Sequence, residues 1–261
     1  MAGWLDYPTS YARSWAAAGR PPWVRRPVCP VSRRPHWYCC CATSGGAESG
    51  KRGLPDPLSR QDFAAAAAVS RETLDRLEAY AELLRRWQGT INLVSRRSLD
   101  DLWRRHFLDS AQLARYAPAG AHWLDLGSGA GFPGLVLAIM GARVTLVESD
   151  QRKCAFLREA ARLSNTAVSL LPQRVEDPVP GDHGPFDMIT ARALAPLDRL
   201  ISLAAPWATP DSVGLFPKGQ DVDSELTRCA KYRKLGFEKL PSVTDPAASI
   251  VRVRGLCHGR R

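Results

Sequence analysis

The stretch Trp123-Leu-Asp-Leu-Gly-Ser-Gly-Ala-Gly-Phe-Pro-Gly134 decides the fold. A buried strand, Trp123 to Leu126, breaks into a turn with glycine at 127, 129 and 131, and Pro133 suits the first turn of a following helix. Glycine removes Cβ where the backbone must bend sharply and where a ligand must approach it, so a strand, turn and helix of this kind make a cofactor site. Two patterns overlap here. Gly129 to Gly134 is a literal Gly-x-Gly-x-x-Gly with an acid about 20 residues on, as dinucleotide folds have. Asp125-x-Gly127-x-Gly129-x-Gly131, with Glu148 ending the next apolar strand, is the better fit, and its two carboxylates suit a cationic ligand without a pyrophosphate.

Composition bounds the partners. The 261 residues are 45% hydrophobic and 24% charged, enough for one large domain with an appended piece. No apolar run approaches the roughly 20 residues of a membrane span. A formal charge of +10 favours an anionic partner, nucleic acid above all. Residues 1–60 hold nine Lys and Arg against three acids, which leaves 27 against 23 for the rest, a mildly basic body.

That first segment differs from the remainder. Trp4, Trp15, Trp23, Trp37, the Pro21-Pro22 pair and the Cys39 to Cys41 run follow neither helical nor strand periodicity, so residues 1–58 are expected to be a disordered extension or a mis-assigned start, with Leu54 or Leu58 as the true one. A targeting segment is the other reading of an arginine-rich, acid-poor start. Zinc at Cys29, His36 and the cysteine run is not expected, because no Cys-x-x-Cys pair occurs, and no metal site is expected elsewhere. The scattered Cys154, Cys229 and Cys257 point to a reducing compartment without disulfides.

Order begins at Ser59. Leu74, Leu77, Ala81 and Leu84 recur at three and four residues and predict a helix ending near Gly89; Ser98 with Asp101 marks the start of a second, with Leu99, Trp103, His106, Ser110 and Leu113 along one face. Residues 59–120 are thus expected to form an N-terminal helical cap. Past the glycine turn, strands are predicted at 144–148, 167–171, 186–191 and 213–217, alternating with helices at 135–140, 152–163, 197–205 and 221–234. This α/β alternation gives a mostly parallel, doubly wound sheet that binds ligands at the strand carboxyl ends, with 249–254 as an edge or antiparallel strand.

The glycine pattern with Asp125 and Glu148 resembles the Rossmann-like class I S-adenosylmethionine-dependent methyltransferases, which assigns 121–261 to such a domain. More specifically, Trp-Gln-Gly-Thr-Ile-Asn-Leu-Val-Ser at 87–95, Arg-His-Phe-Leu-Asp-Ser at 105–110, the glycine turn, Arg174-Val175-Glu176, Ala191-Arg192-Ala193 and Lys218-Gly219 occur in an order similar to the bacterial small-subunit ribosomal RNA methyltransferase G family, also called GidB. The match covers roughly residues 60–254, ordinary domain length. Gln88 stands where many members have Asn.

The resemblance implies methylation of guanine N7 in the decoding-centre loop of 16S ribosomal RNA, free or in a precursor of the small subunit, by a cytoplasmic monomer using S-adenosylmethionine. Asp125, Gly127, Gly129, Gly131 and Phe132 would line the cofactor, Glu148 would hold its ribose, Val175 and Glu176 would flank the adenine, and Arg192 would face both cofactor and base, positioning rather than transferring protons. Guanine N7 carries an in-plane lone pair, so no prior deprotonation is needed. Consistently, the fourth strand lacks an Asn-Pro-Pro-Tyr and no Pro-Cys dipeptide offers a thiolate. Arg96, Arg97, Arg104, Arg105, His106 and Lys218 are the candidate contacts to RNA, their competing reading being a solvated charged face and, for His106, a structural histidine. Two other functions share these features: an NAD-dependent oxidoreductase and a non-catalytic RNA-binding or assembly protein.

Overall fold

The computed structural model describes residues 56–177 and 184–259. Of the expected extension, residues 1–58, all but 56–58 lie outside the described residues, the cysteine run included.

Seven strands form one sheet in the order β3-β2-β1-β4-β5-β7-β6. They are β1 (His122–Leu126), β2 (Arg143–Val147), β3 (Ser169–Leu171), β4 (Met188–Thr190), β5 (Val213–Lys218), β6 (Gly236–Pro241) and β7 (Ser249–Arg254). The first five are parallel, and β7 runs antiparallel to both β5 and β6. Register matters for function. Leu126 pairs with Val147, and Asp125 with Thr190, so Gly127, Glu148 and Arg192 all emerge at one edge of the sheet. That is the carboxyl end, where the reversal of strand order opens a crevice.

Helices cover both faces. Gln151–Leu163 starts at Asp150, whose carboxylate accepts the backbone N–H groups of Arg152 and Lys153, while Ser59 and Ser70 cap Arg60–Ala67 and Arg71–Trp87 in the same way. In chain order the α-helices are α1 (Arg60–Ala67), α2 (Arg71–Trp87), α3 (Arg96–Leu99), α4 (Asp109–Ala111), α5 (Gly134–Ile139), α6 (Gln151–Leu163), α7 (Leu197–Ala204) and α8 (Val222–Arg228). One apolar cluster joins α1, α2, α5 and α6 to one face of the sheet; the other sets α7, α8 and Leu256 against the opposite face. Of the predicted stripe of α2, Leu77, Ala81 and Leu84 are fully enclosed together with Tyr80 while Leu74 is half-buried; full burial is worth about 1.5 to 3 kcal/mol for each large apolar side chain.

Three elements depart from expectation. The predicted second helix is broken into α3, a π-helical turn over Trp103–Leu108, α4 and a 3₁₀ turn over Gln112–Tyr116. The wider π turn buries His106 and Phe107 together, which a regular helix period would not place side by side. The last predicted helix is shorter: α8 stops at Arg228 and passes into a 3₁₀ turn. Finally, β7 takes the antiparallel alternative expected for 249–254 and not the edge one. It lies inside the sheet, and the edge is β6, which sequence reading missed because Phe237 and Leu240 are three apart and do not alternate. Among the described residues no helix is long and apolar enough to cross a membrane.

Candidate functional site

The carboxyl ends of β1, β2, β3 and β4 open onto a cavity of about 990 Å³. Of the residues singled out from sequence, Gly127, Gly129, Phe132, Glu148, Val175, Glu176, Arg192, Arg96, Arg105 and His106 line it. The others stand apart from it.

Asp125 lies behind the turn, fully buried. Its Oδ2 accepts the N–H of Gly134 at 3.2 Å, and its buried Oδ1 has no hydrogen-bond partner among the described residues. Gly131 packs away from the cavity, where a Cβ would stand 2.9 Å from Leu135 Cβ and 3.0 Å from the Tyr80 hydroxyl. Arg97 is exposed on α3 outside the cavity. Lys218 borders a neighbouring cavity, only 8% exposed, where it pairs with Glu225 at 2.9 Å and donates to the Ala195 carbonyl at 2.8 Å. Its ammonium is thus engaged within the fold, as is Arg104, paired with Asp101 at 3.2 Å.

The turn is clamped on one side and open on the other. Tyr80 donates its hydroxyl to the Ala130 carbonyl, and burial pushes that phenol well above its usual range. On the cavity side Gly129 has φ +58°, and a Cβ there would meet no atom closer than 3.8 Å. The backbone is bare where a ligand would touch it. Glu148, 7% exposed, accepts the Gly129 N–H at 2.8 Å through Oε2 and the Asp150 N–H at 2.8 Å through Oε1. A carboxylate has about four acceptor sites, so capacity remains on both oxygens. Val175 is held by its carbonyl, which accepts the Trp207 indole N–H at 3.0 Å, and exposed Glu176 pairs with Arg199 at 3.5 Å.

Arg192 follows β4 and crosses to the cap. Its Nη1 donates to the Arg105 carbonyl at 2.9 Å and reaches Asp109 Oδ2 at 3.4 Å, its Nη2 donates to His106 Nδ1, and its guanidinium carbon lies 5.1 Å from the Phe132 ring centre. Arginine has no acceptor, so Nδ1 of His106 must be unprotonated. The proton sits on Nε2 and is donated to the Ser98 hydroxyl at 2.8 Å. Burial, then the charges of Arg192 and Arg105, lower the His106 pKa to about 3. The imidazole is therefore neutral at physiological pH, with both nitrogens in use. Just beyond Arg192, Ala193 adopts φ 54°, a conformation costly for a residue with Cβ and concentrated at functional loops.

Sequence reading missed Tyr80, Asp109 and Ser98 as parts of this arrangement. Asp109 stands three residues after His106 in the Arg-His-Phe-Leu-Asp-Ser motif, which was the available signal. Gln88, where many family members have Asn, ties down the loop beside the cavity: its amide donates to the Val94 carbonyl at 2.8 Å and accepts from the Leu93 and Val94 N–H groups at 3.1 and 3.0 Å.

A profile of the family described as rRNA small subunit methyltransferase G, GidB, matches residues 73–245. Over 213 residues the chain is 50% identical to the Ribosomal RNA small subunit methyltransferase G of Parvibaculum lavamentivorans, spanning 79% of this chain and 93% of that one. The proteins of the same name from Rhodospirillum centenum and Paramagnetospirillum magneticum are 52% identical over 203 residues and 50% over 205, covering 93% and 98% of their own lengths and 77% and 78% of this chain.

Burial raises the Asp125 pKa from 3.8 to about 7, against the lowering influence of Ser128 and the Gly134 N–H. The folded chain keeps a proton that the unfolded chain releases, so this stabilisation is complete below about pH 3.8 and is lost as pH rises through 7. His106 has the opposite slope, losing stability as pH falls below 6.5, and cancels in a comparison of two proteins that both retain it. Asp125→Asn should match the parent near pH 4 and gain on it by roughly 1.4 kcal/mol per pH unit up to about pH 7. Urea denaturation at several pH values reads this directly, and parallel profiles would show that the carboxyl ionises without penalty.

Proposed function

We infer the reaction from one premise: this chain belongs to the rRNA small subunit methyltransferase G family and is an S-adenosylmethionine-dependent methyltransferase of ribosomal RNA. The acceptor we propose is guanine N7 in the decoding-centre loop of 16S ribosomal RNA. The observation that carries this reading is the convergence of a bare glycine turn, a carboxylate with spare acceptor capacity and an anchored arginine on one cavity.

When bound, S-adenosylmethionine supplies a methyl group activated by its sulfonium. Gly127 and Gly129 present backbone without side chains to it, Glu148 accepts from its ribose hydroxyls, and Val175 with Glu176 borders its adenine. The bare Gly129 backbone and the spare acceptor capacity of Glu148 fit such a ligand. Phe132, tilted against His106 and edge-on to Phe107, makes that wall apolar. Arg192 orients the base.

Guanine N7 already has its lone pair, so what the protein must supply is alignment, which provides roughly 7 to 11 kcal/mol for well-placed reactants. The state of His106 agrees with this, because a neutral ring with both nitrogens occupied serves as a fixture, not as a base. Arg96 and Arg105, both exposed at the mouth, would contact phosphates and set the register of the RNA without reading its sequence. The proposal extends to a monomer in the cytoplasm, with residues 59–120 acting as a cap over the site. An oxidoreductase or a non-catalytic assembly protein is not favoured by relatives half identical to this chain and named as methyltransferases.

Mass mapping of N7-methylguanine in small-subunit RNA from cells lacking this protein tests the reaction; loss of one modified guanine is expected, and an unchanged map would reject it. Glu148→Ala should weaken S-adenosylmethionine binding by about 1.5 to 3 kcal/mol, the range for hydrogen bonds to a charged partner, as read by calorimetry. Affinity equal to the parent's would remove Glu148 from the ribose. Replacing Arg96 and Arg105 by glutamine should lower the salt dependence of RNA binding by up to about 0.7 per lost contact on single strands, or about 0.9 on duplex, at constant cofactor affinity. A salt slope that does not move would place RNA recognition on another surface.

A further inference from the structure

We propose that Asp109 is the positioning residue for Arg192, its carboxylate fixing the guanidinium at the cavity wall while the β6–β7 connection fixes the carboxylate. The inference rests on the reading that Arg192 orients the acceptor base.

Asp109 opens α4 directly after the π turn. Its two oxygens have divided work. Oδ2 faces Arg192 Nη1 at 3.4 Å, whereas Oδ1 accepts from Gln112 Nε2 at 2.9 Å and from the Thr244 hydroxyl at 3.0 Å. The same connection is bound twice more by Gln112, which accepts the Val243 N–H at 2.9 Å and reaches the Ser242 hydroxyl at 3.2 Å. Arg192 and Asp109 are both mostly buried, with side chains 18% and 17% exposed. A mostly buried pair whose carboxylate is held in place through its other oxygen by two hydrogen bonds is more directional than a surface ion pair.

Without Asp109, the anchors left to Arg192 would be a carbonyl, the neutral His106 nitrogen and the Phe132 ring. None carries a negative charge. A partly buried guanidinium deprived of its carboxylate would turn toward solvent or toward the neighbouring cavity, whose rim includes Arg192, Lys218 and Glu225. The Arg-His-Phe-Leu-Asp-Ser motif is then one device: Arg105 gives the carbonyl, His106 the nitrogen and Asp109 the charge.

The test uses the full chain and five variants: Asp109→Asn, Thr244→Val, Arg192→Lys, and the two doubles that combine Asp109→Asn or Thr244→Val with Arg192→Lys. Asp109→Asn should lower kcat on small-subunit RNA at least about tenfold with KM and cofactor affinity nearly unchanged, and should add nothing further in the Arg192→Lys background, since residues acting as a unit are not additive. Thr244→Val should give a smaller loss with the same non-additivity. A second readout needs no substrate. If Arg192 leaves its place, His106 loses the cation on Nδ1, and its ring, followed by NMR, should titrate at higher pH in Asp109→Asn than in the parent. Losses that add across the two sites, undiminished turnover, or an unmoved His106 titration would each overturn the proposal. Should Asp109→Asn fail to fold, Thr244→Val carries both readouts with the same criteria. Should the parent not methylate the RNA, the reading of the function fails, and the His106 titration still decides the role of Asp109.

Discussion

A carboxylate sealed beneath a glycine turn is the constraint on which the arrangement depends. Asp125, one residue before the end of the strand that carries the turn, accepts the first N–H of α5, and a Cβ on Gly134 would lie 2.7 Å from that oxygen and 2.5 Å from Leu146. The helix can start there only because residue 134 has no side chain. Tyr80 seizes the same turn from the cap through the Ala130 carbonyl. With strand, helix and cap all fastened to its inner half, the turn has little freedom left, and its outer half can be left bare for a ligand. The cost is a buried acid with one oxygen unmatched.

Much of this was legible in the sequence, and the limits have physical causes. The strand, the turn and Glu148 were readable because each demands particular residue types at a particular spacing. The parallel core was readable from alternation, since a strand of five buried residues between helices admits few other folds. What escaped were features decided by packing across long separations. The π turn at 103–108 is set by the need to bury His106 and Phe107 against Phe132, and no local pattern encodes it. Edge strand β6 exists because β7 offers it a ladder, so its own sequence carries little signal.

The site showed the same division. Residues named for their place at a strand end, such as Glu148 and Arg192, lie in the cavity. Residues named for charge alone fared less evenly: Arg96 and Arg105 reach it, Arg105 with Asp245 3.8 Å away, whereas Lys218 is engaged by Glu225. Sequence position predicts where a backbone will be. It does not say whether a cation's partner is already inside the protein.

The contact between Asp109 and Thr244 spans 135 residues and joins the first third of the described chain to its closing hairpin. A ribosome releases this chain from its N-terminus, so the cap, the glycine turn and β4 are all in the open before Thr244 has been made. Until the hairpin closes, Asp109 lacks its Thr244 donor and Gln112 its contacts to Ser242 and Val243. The Asp109 corner of the site is therefore completed only after residues 242–244 have been made, later than the strands β1 to β5 whose ends carry the rest of it.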